Sequence, residues 1–340
     1  MGELTERQRA ILRVVIHEYI ATATPVGSEA IVRRRSLGIS PATVRNEMLE
    51  LERSGYLYQP HTSAGRIPSN KGYRYLVEML LQASELSGDE QRTISHQFHQ
   101  VEFEIDQWIQ LAASVLANTV RTASMVSAPT APKCRLKHLE LVSVQEKTAL
   151  LVIVLHEGLV RQQVLALSDP LAQEELGSIA RKLSAVFKGL TAAEIEGKAA
   201  ELSAVEAQVR STLVHLMRQV DEGSHNELVY DGLVDMFRQP EFAGSGKVQH
   251  VLEVLERRAI LSALLPRVGA NEDVQVIIGD ENAWPPLQEC AVVAARYGIA
   301  GQAVGLLGVL GPTRMQYGRA IPAVRYLSRI MTSLMREAYA

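Results

Sequence analysis

Ser40, Thr43, Arg45 and Asn46 fall in the seven-residue run SPATVRN. An arginine guanidinium can donate two parallel hydrogen bonds to guanine, and an asparagine amide can pair in the same two-pronged way with adenine. Hydroxyls and amide N–H groups at a helix start can hold a phosphate, which suits Ser40 and Thr43. The chemistry these residue types offer together is the reading of duplex DNA. A second set follows in His61-Thr62-Ser63-Ala64-Gly65-Arg66. Small hydrogen-bonding residues such as Thr62 and Ser63 let a backbone approach DNA closely, and Arg66 would then reach a phosphate or the minor groove. Lys71 and Arg74 extend the set as phosphate contacts. Arg33-Arg34-Arg35 is a charge run of a kind more often solvated than bound.

Other chemistries find less support. His96, His99 and Glu102 share one helical face, but the H-E-x-x-H spacing and a further ligand are missing. Gly244-Ser245-Gly246-Lys247 lacks the leading glycine of a phosphate loop and has Val248 where Ser or Thr must bind magnesium. No G-x-S-x-G elbow occurs. Cys134 and Cys290 stand 156 positions apart, which excludes a disulfide framework or a cysteine-rich zinc site. Pro312-Thr313-Arg314-Met315 could line a ligand pocket, although bracing of the final helix is the simpler role. No catalysis, metal or cofactor is implied.

The elements that must position these residues follow from length and pattern. The chain has 340 residues, enough for two or three domains, with 47% apolar and 21% charged residues. Its longest apolar run is the seven residues Ala149 to Leu155, far short of the ~20 a membrane helix needs. Charges stand where a signal peptide would have its apolar core, so a cytoplasmic location is expected. Net charge is −3 overall, yet residues 31–75 hold 8 basic against 3 acidic residues. A basic N-terminal module on an acidic body is the distribution expected of a small DNA-binding head.

Thr5 and Gln8 form a capping box ahead of an apolar stripe Ile11, Leu12, Val15, Ile16, Tyr19 and Ile20. A short helix follows near 28–36, and Ser40-Pro41 restarts the chain as a third helix to about Ser54, with Val44, Met48 and Leu51 inward. Tyr56 to Gln59 and Ile67 read as a hairpin whose wide tip is the 61–66 loop, and a helix runs from about Asn70 to Leu81. This is a winged helix-turn-helix over 1–82. Residues 83–167 read as a connector helix and the first strands of an α+β domain, 168–245 as a mainly helical interruption, and 246–340 as the rest of that domain. The interruption is the expected dimer contact, since isologous pairing is the commonest assembly of soluble regulators.

The segment SPATVRNEMLELERSGYLYQPHTSAGRIPSNKGYRYLV resembles the heat-inducible transcription repressor family, HrcA, as do Gly308 to Val324 and the stretch around Gln239-Pro240-Glu241-Phe242. The resemblance implies a winged-helix DNA-binding domain and a GAF-like domain interrupted by an inserted dimerisation domain. It further implies a homodimer that represses chaperone operons through an inverted-repeat operator in double-stranded DNA, with the chaperonin as modulator. A repressor controlled by a small effector in its GAF-like domain is the alternative.

Overall fold

The computed structural model describes residues 4–339 except 35–37, 63, 84, 102–103, 130–132, 157, 200, 224–227, 244–245, 257–267, 269–273, 283 and 300–301. Ser63, Arg35, Glu102, Gly244 and Ser245 lie outside the described residues. The chain divides into two compact units, one of 1–128, 228–299 and 305–340, the other of 129–227 and 300–304.

In the first unit, α1 (Glu6–Thr22) starts at the Thr5/Gln8 capping box and buries Ile11, Leu12, Val15 and Ile16. After α2 (Ser28–Arg34), α3 (Pro41–Arg53) begins with Ser40 as its cap and Pro41 in its first turn, and buries Val44, Met48 and Leu51. Pro41 suits that place because its missing N–H would find no helical partner there. Strands β1 (Leu57–Tyr58) and β2 (Ile67–Pro68) pair antiparallel, and a bridge between Val26 and Arg66 extends the ribbon.

Three further helices lead onward: α4 (Asn70–Ala83), α5 (Gly88–His99) and α6 (Ile105–Val120). They lead to β3 (Ala123–Ser127). The chain then leaves for the second unit and returns at β7 (Leu228–Asp231). After α10 (Leu233–Phe237), a 3-10 turn (Pro240–Phe242) and α11 (Lys247–Glu256) come β8 (Gln275–Ile278), β9 (Cys290–Ile299) and β10 (Ala303–Pro312). Helix α12 (Tyr317–Tyr339) closes the chain. These strands form a five-stranded sheet in the order β7-β3-β10-β9-β8. Helices α6 and α12 lie against each other and against the sheet, while Met236, Phe242, Val251 and Leu255 join a core with Met125, Val292 and Leu306. A sheet covered on both faces explains the near-continuous apolar runs of β9 and β10.

Asn282 is buried in this unit, its side-chain amide directed at the carbonyls of Gly279, Leu287 and Cys290 at 2.9–3.1 Å. Burial pushes the Cys290 thiol up to about 12, so it stays neutral and is a poor nucleophile.

The second unit joins β4 (Leu136–Gln145), β5 (Thr148–Leu155) and β6 (Val160–Ala166) in an antiparallel sheet of its own, followed by α7 (Gln173–Phe187), α8 (Ala192–Gly197) and α9 (Ala204–Gly223). The division expected at 168 is therefore displaced. The strands of 136–166 stand with the helices that follow them, and the interruption is half sheet rather than mainly helical. The physical reason is the inner face of the meander: Leu139, Leu141, Leu151 and Ile153 pack against Leu176, Leu183, Phe187, Leu213 and Met217. Alternation identifies a strand and its buried face, but not the helix that will cover it.

Candidate nucleic-acid interface

Alanine 42, Arg45, Asn46, Leu49 and Arg53 recur at helical spacing along α3 and are all exposed. They form one stripe opposite the buried Val44, Met48 and Leu51. The Arg45 and Asn46 side chains make no hydrogen bond or ion pair with another described residue and are exposed on α3. At the start of α3, Ser40 Oγ accepts from the Thr43 N–H at 3.2 Å and lies 3.0 Å from the Thr43 hydroxyl. Because Pro41 has no N–H and that of Thr43 is taken, the Ala42 N–H and the two hydroxyls are what remain there for a phosphate.

The 61–66 loop is held from inside by a residue the sequence reading passed over. Gln59 donates its amide to the carbonyls of Thr62 at 3.1 Å and Ala64 at 2.8 Å. Thr62 itself stays exposed. Gly65 is required by close approach: a Cβ there would lie 2.4 Å from the Val26 carbonyl. Between α2, α3 and this loop is a concavity of about 660 Å³ whose walls include Arg33, Arg45, Gln59 and Thr62.

Three expected phosphate ligands are engaged elsewhere. Arg66 is 13% exposed, and its Nε and Nη2 converge on Glu52 Oε2 at 2.9 and 2.8 Å. It ties the hairpin to α3. Lys71 donates to the Ser54 carbonyl at 2.8 Å, capping the end of α3, and its ammonium lies over the Tyr56 ring at 4.3 Å. Arg74 donates to Glu281 Oε1 at 2.9 Å and to the Val276 carbonyl at 2.8 Å. Beside it, Asn70 reaches Asp280 at 2.8 Å. Both residues therefore fasten α4 to the turn after β8. More links follow from α12, where Arg325 donates to the Leu81 carbonyl at 2.7 Å and Tyr326 to that of Gln91 at 2.8 Å.

An aromatic contact completes this seam, with the Tyr73 and Tyr317 rings 5.9 Å apart. Burial above all, then the neighbouring Tyr317, pushes the Tyr73 hydroxyl well above the usual phenol range, and that hydroxyl is buried with no hydrogen-bond partner. An unsatisfied buried hydroxyl is destabilising, so Tyr73→Phe is expected to stabilise the chain by about 1 kcal/mol, read as a rise in Tm of a few degrees. A fall in Tm would show that the hydroxyl is satisfied in solution.

Among the described residues, no group of three or more His, Cys, Asp or Glu side chains could hold a metal ion, and no helix is long and apolar enough to cross a membrane. His96 and His99 lie on α5, with His99 Nδ1 2.7 Å from the Ser95 carbonyl.

Comparison with known proteins bears on the whole chain. The family described as "HrcA protein C terminal domain" matches residues 106–321. Relatives called "Heat-inducible transcription repressor HrcA" include one from Roseiflexus castenholzii, 46% identical over 99% of this chain and 96% of its own length. Another, from Thermomicrobium roseum, is 43% identical over 98% and 96%. Among solved structures, a hypothetical protein determined at 2.2 Å resolution shares the fold at a TM-score of 0.64 and 24% identity, covering 98% of this chain and 99% of its own. The relatives bear the name of a repressor and not of an enzyme. With more than half of the chain matched by the family and full-length relatives above 40% identity, the chain belongs to the HrcA family of heat-inducible transcription repressors.

Proposed function

We propose that the protein is a sequence-specific transcriptional repressor of chaperone operons. In this reading 4–83 is a winged helix-turn-helix, with α3 in the major groove of duplex DNA and the 61–66 loop as the wing beside it. The observation that carries it is the exposed stripe of α3, where the Arg45 and Asn46 side chains pair with no described residue and stand beyond a Ser-Pro cap. Arg45 and Asn46 would read base edges; Ser40, Thr43 and Thr62 would hold the backbone, with Ser63 beside them on the sequence reading alone. The five-stranded sheet and its helices would be the GAF-like domain. Nuclease footprinting on DNA upstream of the chaperone genes of the source genome tests the reading. Protection of an inverted repeat supports it, and equal affinity for operator and scrambled duplex overturns it.

The homodimer is proposed through the second unit, by a surface different from the helices of 168–245. On the outer face of the β4-β5-β6 sheet, Leu150 pairs across to Val142 on one side and Val164 on the other. Val142 is 41% and Val164 56% exposed, and Val154 pairs with the exposed Val160. An apolar sheet face of this kind, matched to a second copy about a two-fold axis, makes an isologous contact. Two heads set by one dimer would meet the two halves of an inverted repeat. Chaperonin would act on the active fraction, since ~1–2 kcal/mol changes the folded population of a marginally stable chain several-fold.

A further inference from the structure

Where the end of α1 meets the loop after β10, a polar cavity of about 570 Å³ opens, with Ile20, Asn118, Arg121, Asp235, Gln239 and Arg314 in its walls. This volume lies within the range of small-molecule sites. Arg314 is among its lining residues. The guanidinium donates to the Ile20 carbonyl at 3.1 Å, pairs with Glu241, and lies 3.4 Å from Gln239 Oε1. Helix α1 has no basic residue in its own last turn, so the cation that offsets its C-terminal dipole is Arg314. The other Glu241 oxygen, Oε2, is buried without a hydrogen-bond partner.

Charge pairing around the cavity leaves one group over. Glu241 is matched by Arg314, and Asp235 by Arg238 at 3.9 Å. Arg121 follows α6 in the left-handed conformation, φ 57°, which a non-glycine residue adopts only at some cost. That turn puts Arg121 in the cavity lining, where its carbonyl accepts from Gln239 Nε2 at 3.5 Å and its exposed side chain pairs with no described residue. An unmatched guanidinium beside a walled, polar space selects a planar anion, because its fork of N–H donors fits a carboxylate with two parallel bonds.

We propose that this cavity binds a small carboxylate-bearing molecule, with its charge on Arg121 and its hydrogen-bonding body against Asn118 and Gln239. The site goes beyond the repressor reading and stands independently of it.

Thermal unfolding of the full chain tests the site. Succinate or glutamate at about 10 mM is compared with the uncharged succinamide and with sodium chloride at equal ionic strength, for the wild type and Arg121→Gln. The exposed Arg121 side chain pairs with no described residue, so the variant should fold as the parent does. A rise in Tm of about 2–4 °C with a carboxylate, absent with succinamide and salt and lost in Arg121→Gln, is the expected result. No rise with either carboxylate overturns the proposal. An equal rise with succinamide or salt, or a rise that survives in Arg121→Gln, overturns it as well.

Discussion

Replacing Arg45 by alanine is expected to weaken binding to each operator half-site by about 1–3 kcal/mol, or roughly 5- to 150-fold, and to relax preference at one base position per half-site. Binding to random duplex should change much less, because a side chain on the exposed stripe of α3 that reads a base edge contributes little where the edge is wrong. Arg66→Ala should differ in kind. Its guanidinium is committed to Glu52, so its removal is expected to lower the stability of the head by about 1–2 kcal/mol while leaving the salt dependence of DNA binding nearly unchanged. Titration of both duplexes at several salt concentrations, with unfolding curves for each variant, separates the two. Equal loss on operator and random DNA for Arg45→Ala would mean that α3 does not read sequence.

If the proposed dimer forms through this sheet face, the double substitution Val142→Glu with Val164→Glu is expected to leave the protein monomeric at micromolar concentration. Both positions flank Leu150 on the outer face of the three-stranded sheet, so the change would place four carboxylates at a two-fold interface and leave the inner core untouched. Operator affinity should then fall by about 100- to 10,000-fold, the loss expected when two linked heads become independent. Light scattering and operator titration of the same sample check this. A variant that remains dimeric would place the contact elsewhere on the chain.

Local signals in the sequence were sufficient for some of this architecture. Thr5 with Gln8, and Ser40 with Pro41, announce helix starts because a cap acts on residues two or three positions ahead. The α3 stripe is equally legible, since exposure and burial alternate with the turn of the helix. The sequence presents Arg66 and Arg74 as phosphate ligands because the carboxylates they pair with lie 14 and 207 positions away, beyond any periodicity. Charge is visible in a sequence; its neutralisation by a distant carboxylate is not. The same limit hid the sheet to which 136–166 belongs, for the pattern of a strand names its buried face and not its neighbour. Gln59 left no signal, because an amide that bonds backbone carbonyls needs no particular residue type at the other end.

The strand order has a consequence for how the chain is made. Ser127, at the end of β3, accepts a hydrogen bond from the Leu306 N–H, 179 positions further along the chain. At about 5–20 residues per second on the ribosome, β3 and the apolar α6 before it wait roughly 10–40 s for the strand that completes their sheet. The three-stranded meander and its helices have every partner close by and can close first. A nascent chain in this interval carries one finished unit beside an open sheet edge and an uncovered apolar helix, the surface that folding assistants recognise and that aggregation consumes.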